Sequence, residues 1–126
     1  MELVNGQTYL MGLQVEDFKD NLAVVALAPV RGATIAQVLE QHVTAIKADP
    51  ALSVEVGETR TLSGREVAFL RYSGKVDKQQ LRITSLIYLL NGSPVVVTAT
   101  VAERNWEMMK PRIDALFAGV RIGAAK

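Results

Sequence analysis

Two alternating segments around a tight turn constrain the chain more than any other feature. Gln80 to Leu90 and Pro94 to Val101 are rich in β-branched and aromatic residues, and their link contains Asn91-Gly92. That dipeptide tolerates the positive φ angles of a type I′ turn, so the pattern predicts a hairpin. The odd positions Leu81, Ile83, Ile87 and Leu89 are apolar, as are Val95, Val97, Ala99 and Val101. Side chains alternate across a strand, so both odd sets are expected to face the core. The even positions, Arg82, Thr84, Leu86, Tyr88, Leu90, Val96, Thr98 and Thr100, form a mixed face.

The remaining elements follow from period and punctuation. Gln7 to Val15 reads as a strand after the Asn5-Gly6 turn. Leu22 to Leu27 is a nearly continuous apolar run, which suits a strand buried on both faces or one end of a covered sheet. Thr34 to Ala48 is a helix, with Thr34 as N-cap and Ile35, Val38, Leu39, His42 and Ile46 on one side. Asp49-Pro50 stops it. Ser53 to Leu62 and Arg65 to Ser73 are strands joined at Ser63-Gly64. Glu103 to Val120 is helical, with Trp106, Met109, Ile113, Leu116, Phe117 and Val120 on one face and Gly119 at the stop. Pro111 predicts a break: a short turn near Asn105 to Met109, then the main helix from Pro111. The expected architecture is α+β, an antiparallel sheet of about six strands packed with two main helices, in one domain over residues 1–126.

Composition narrows the function. Net charge is +1, far from the basic excess of a nucleic-acid protein. There is no cysteine, so thiolate metal sites and cysteine nucleophiles are absent. The start of the chain lacks the pattern of a signal peptide, and Leu86 to Leu90, the strongest apolar stretch, is too short to span a bilayer. His42 is the only histidine, and zinc needs three or four ligands. Glu16, Asp17 and Asp20 fit no calcium loop and read as a solvated connection. Gly64, Gly74 and Gly92 belong to no phosphate-binding motif. Arg60, Arg65, Arg71 and Arg82 are interleaved with Glu55, Glu58 and Glu66, which reads as a salt-bridged sheet surface. Trp106 and Met109 belong to the core by spacing, and Met108 points elsewhere. No catalytic residue, metal or cofactor is expected.

Several segments together resemble a known family. Leu13-Gln14-Val15 before Asp17-Phe18-Lys19-Asp20, the strand Leu22 to Pro29, and the helix Ile35 to Ile46 match its first half. Leu62-Ser63-Gly64-Arg65-Glu66-Val67, Leu70-Arg71-Tyr72, the hairpin Arg82 to Val101 and the Trp106 to Phe117 helix match its second. This looks like the PsbP-like superfamily in its bacterial DcrB-like branch, which includes the effector-associated Eag chaperones of type VI secretion. Glu16 and Phe18 stand where members often have Pro and Trp. The resemblance covers roughly Leu13 to Val120. It implies a PsbP-like α/β sandwich and a non-enzymatic binding module, an adaptor or chaperone shielding an apolar effector segment, with a homodimer among its forms. The alternative it implies is an accessory subunit or lipoprotein-like domain of an envelope complex. The cytoplasm of a bacterium is the expected compartment, or the periplasm and envelope if a signal has been removed.

One surface follows from these expectations. If both helices lie on one side of the sheet, the mixed face is open. Arg82, Thr84, Leu86, Tyr88, Leu90, Val96 and Thr98 would then bind a partner protein or a second copy, since a sizeable apolar patch on a water-facing surface usually marks an interface.

Overall fold

In the computed structural model the described residues are 8–15, 18–28, 32–62, 64–76, 78–90 and 92–118, with side chains from 21 onward. Expectations resting on Asn5-Gly6, Glu16, Asp17, Pro29, Ser63, Asn91, Gly119 and Val120 lie outside them. The elements are β1 (Thr8–Val15), β2 (Phe18–Ala26), α1 (Ile35–Lys47), β3 (Leu52–Leu62), β4 (Arg65–Val76), β5 (Gln79–Leu90), β6 (Ser93–Ala102) and α2 (Trp106–Ala118). A single 3₁₀ turn, Glu103–Asn105, joins β6 to α2. The class is α+β, as the sequence predicts.

The strands lie in the order β1-β2-β6-β5-β4-β3, with every neighbouring pair antiparallel. Consecutive strands after α1 pair with one another because their connections are too short for anything else. The exception is the link from β2 to β3, which α1 carries across the sheet. Thr34 starts α1 through a capping box: its hydroxyl accepts from Gln37 N–H, and the Gln37 side chain accepts from Thr34 N–H. Two otherwise orphaned backbone donors are thereby satisfied.

Register decides the core. Leu90 pairs with Ser93 across the two-residue turn, where Gly92 takes φ +80°. Paired residues share a face. An even residue of β5 therefore sits beside an odd residue of β6: Tyr88 with Val95, Leu86 with Val97, Thr84 with Ala99. The expectation that both odd sets share one face is incorrect, because a two-residue turn reverses parity between its strands.

The helices occupy opposite faces. Against α1 pack Ala68, Leu70 and Ile87, meeting Ile35 and Val38, with Val43, Ile46 and Val96 at the margin. On the other face, Trp106, Met109, Ile113 and Phe117 of α2 meet Leu22, Val24, Val67, Phe69, Leu86, Tyr88, Val95, Val97, Ala99 and Val101. β5 is consequently buried on both sides from Ile83 to Tyr88. β5 is packed between the two helices, which corrects the expectation of an open face carrying Leu86 and Tyr88.

Two element expectations also change. The helix does not begin anew at Pro111 but runs unbroken from Trp106 to Ala118. Pro111 and Glu107, whose carbonyl the proline leaves without its helical N–H, are both exposed, so water can serve that carbonyl. In β2, Leu22 and Val24 are buried while Val25 is 47% exposed. The apolar run is buried on one face near its end, not on both.

Gly74 shows how tightly β4 is seated. A Cβ there would run into the Ala51 carbonyl oxygen and the Leu52 side chain. Backbone cannot yield as a flexible side chain does, so Gly74→Ala should lower stability by about 1–3 kcal/mol. Urea unfolding of the two proteins checks this; an unchanged midpoint would mean that the Ala51 turn moves freely.

Candidate functional site

The seven residues expected to form one surface are divided by the sheet. Arg82, Thr84, Leu86, Tyr88 and Leu90 are on the α2 face, whereas Val96 and Thr98 are on the α1 face. Leu86 is 3% exposed and Thr84 fully buried, and Tyr88 lies in the α2 core. Burial raises the Tyr88 pKa, with the charge of Arg65 acting against it. These residues hold the protein together and cannot be one open contact patch.

Three arginines on the α2 face alternate with two aromatic rings. The Arg60 guanidinium lies 3.7 Å from the Phe69 ring centre, and Arg71 lies 5.3 Å from Phe69 and 4.9 Å from Trp106. Arg82 lies 5.6 Å from Trp106. Phe69 and Arg71 are two apart on β4, so the pleat puts both on this face. Each cation has an acidic partner. Arg60 meets Glu58 at 2.7 Å, Arg71 meets Asp114 at 2.6 Å, and Arg82 meets Glu103 at 2.6 Å as well as Glu55. The hydrogen bond to Glu103, helped by the negative charge nearby, raises the Arg82 pKa further.

The expectation of a salt-bridged sheet surface describes Arg60 and Arg82 but not Arg71. Arg71 is 7% exposed, with Nε donating to Thr84 Oγ1 at 3.1 Å and Nη2 to Asp114 Oδ1. A buried guanidinium needs such partners, since desolvation penalises an unpaired charge heavily. Asp114 belongs to α2, so this pair also ties the helix to the sheet.

Beside the pair lies a cleft of about 420 Å³ between the end of α2 and strands β3 and β4. Arg60, Phe69, Arg71, Leu86, Asp114 and Phe117 are among its walls. Sequence reasoning did not assemble this group, because Asp114 and Phe117 reach it only through helix docking. The spacing of Phe69 and Arg71 on one strand face was the available signal.

The other sheet face is covered unevenly. α1 packs over β3, β4 and β5. On β6 and β2, Val96 pairs with Val25 and Thr98 with Ala23. Val96, Thr98 and Ala23 are half-buried, and Val25 is exposed. Ser85 and Thr98 hydroxyls, 3.2 Å apart, satisfy one another at the border of this strip. Nearby, burial raises the Tyr72 pKa against the effect of its hydrogen bond with Ser85.

Among the described residues, no three His, Cys, Asp or Glu side chains are grouped to hold a metal ion. His42 is half-buried on α1, and burial lowers its pKa. No described helix is long and apolar enough to cross a membrane.

No family model and no curated protein matches the chain. Solved structures do. PA94 of Pseudomonas aeruginosa, a protein of unknown function, matches at TM-score 0.82 and 9% identity over 94% of this chain and 83% of that one. Cyanobacterial PsbP (CyanoP) from Synechocystis sp. PCC 6803 matches at 0.56 and 18% identity, over 75% of this chain and 62% of that one. LpqN, involved in cell envelope biogenesis of Mycobacterium tuberculosis, matches at 0.56 and 13% identity, over 76% and 58%. The chain thus spans less than two thirds of CyanoP and of LpqN. At these identities the likeness is one of fold, and the fold is PsbP-like. The DcrB-like branch is a finer assignment than these matches reach.

Two outcomes follow from this geometry. Asp114→Ala should cost about 1–2 kcal/mol, because it strips a charged partner from buried Arg71, whereas Glu58→Ala on half-exposed Arg60 should cost under about 0.5 kcal/mol. Equal losses in chemical denaturation would contradict the structural role of Arg71. The second concerns pH. Because the folded pKa of His42 is depressed, the unfolded chain takes up a proton first as pH falls. His42 should therefore stop favouring folding as pH drops below about 6.5, its ordinary value. Urea midpoints at pH of about 7.5 and about 5.5 should fall more in the wild type than in His42→Gln; parallel declines would show that His42 has no part in it.

Proposed function

We propose that the protein is a non-enzymatic binding module that holds an apolar segment of a partner protein against the strip of its sheet beside α1. The strip built from Ala23, Val25, Val96 and Thr98 is the observation that carries this reading. Its side chains are small, β-branched and mostly uncharged, which suits close approach by an apolar helix or strand. Val96 and Thr98 come from the set expected to bind; the remaining five belong to the core face. The sequence resemblance to the DcrB-like branch supports an adaptor or chaperone, with a secreted effector as partner in the bacterial cytoplasm. Its members are similar in lacking catalytic machinery.

A second reading is an accessory or structural subunit in the cell envelope. The fold-level likeness to LpqN, which is involved in cell envelope biogenesis, favours it. Both readings use a protein partner and differ in compartment.

Val25→Asp tests the strip, since Val25 is exposed and its replacement leaves both cores intact. With wild-type and Val25→Asp proteins as bait in the source organism's lysate, quantitative mass spectrometry should show a specific protein recovered about tenfold less by the variant, a loss of about 1.4 kcal/mol in binding. Val25→Ala should retain it. Equal recovery by wild type and the folded Asp variant would remove the strip as the binding surface.

A further inference from the structure

The cleft on the α2 face is a separate feature, on the side of the sheet away from the proposed protein-binding strip. Its volume of about 420 Å³ is within the range of small-molecule pockets. Its lining combines apolar residues, Leu62, Val67, Phe69, Leu86 and Phe117, with Arg60, Arg71 and Asp114. Asp114 is already matched to Arg71 at 2.6 Å, so that pair contributes little net charge. Arg60 is then the cation in the lining whose acid partner lies outside the lining. Its Nε and Nη2 both donate to one oxygen of Glu58, two residues away on the same strand, and both side chains are about half exposed. Such an exposed pair is worth little and exchanges readily. The guanidinium centre lies 3.7 Å from the Phe69 ring centre, which holds the cation beside the apolar lining. A guanidinium donor fork next to apolar residues matches a carboxylate that carries a hydrocarbon tail.

We propose that this cleft binds a small carboxylate with an apolar tail, of the medium-chain fatty acid class. Arg60 takes the carboxylate, and Phe69, Leu86 and Phe117 line the tail. Arg71 and Asp114 position the walls without contributing net charge. The proposal goes beyond the protein-binding reading and stands or falls apart from it.

Decanoate, kept below its micelle concentration, is the probe. Binding is followed by ¹⁵N–¹H amide shifts. Expected is saturable binding with shifts confined to β3, β4, the neighbouring part of β5 and the C-terminal half of α2. Arg60→Gln should weaken it about tenfold or more, the scale of a lost charge-assisted contact, with an unchanged amide spectrum elsewhere reporting an intact fold. Decyltrimethylammonium, which has the same tail and the opposite charge, should also bind about tenfold weaker or worse. Absence of saturation up to millimolar decanoate would overturn the proposal. So would equal binding of the ammonium compound, or undiminished binding by folded Arg60→Gln. Val25→Asp should leave decanoate binding unchanged, which separates this site from the protein-binding strip.

Discussion

The pairing of β5 with β6 across two turn residues is the constraint from which the rest of the structure follows. By placing Leu90 opposite Ser93, it puts Leu86 and Tyr88 beside Val97 and Val95 on one face and Ile87 beside Val96 on the other. Neither face of β5 can then be left to water. Each needs its own helix, and each has one. Ile87 contributes to the α1 cluster, and Leu86 with Tyr88 contributes to the α2 cluster. Sliding the pairing by one residue would send every one of these side chains to the wrong layer.

The two layers are bonded differently. Under α1 the contact is aliphatic, from Ile35 and Val38 to Ala68, Leu70 and Ile87. Under α2 an apolar centre is flanked by arginines that rest on aromatic rings. Buried Arg71 is accommodated because Thr84, Asp114, Phe69 and Trp106 surround it with hydrogen bonds, opposite charge and π faces. Much of this energy goes into orientation: Asp114 must meet Arg71, and Trp106 must lie near both Arg71 and Arg82. A purely aliphatic contact tolerates sliding. This one specifies where α2 sits, and that position shapes the cleft beside it.

Uneven coverage of the α1 face carries the functional reading. One helix can cover about three strands, and the sheet is wider than that. With α1 over β3 to β5, the strip on β6 and β2 is left to other contacts among the described residues. The matched solved structures share the fold at low identity, and a shared fold leaves function to each chain's own side chains.

Much of the fold was legible in the residues themselves. Thr34 as N-cap, the hairpin at Asn91-Gly92, the β3–β4 pair and the core face Trp106, Met109, Ile113 and Phe117 all rest on local physics: turn geometry, capping and periodicity. The parity of the hairpin was also written there, since a two-residue turn pairs even with odd, but strand-by-strand alternation conceals it. The side of the sheet each helix would take was not legible, because two apolar faces of similar character accept either helix until all contacts are made together. That choice buried Leu86 and Tyr88, split Val96 and Thr98 from them, and brought Asp114 to Arg71 from 43 residues away. Pro111 was misleading for a related reason: its local cost is real, yet tertiary packing of one continuous apolar stripe outweighs it. The sequence by itself determined most of the elements and the pairing of strands joined by short turns, through short-range geometry. Only the tertiary structure decided which surfaces remained for binding, because exposure depends on residues far apart in the chain packing at once.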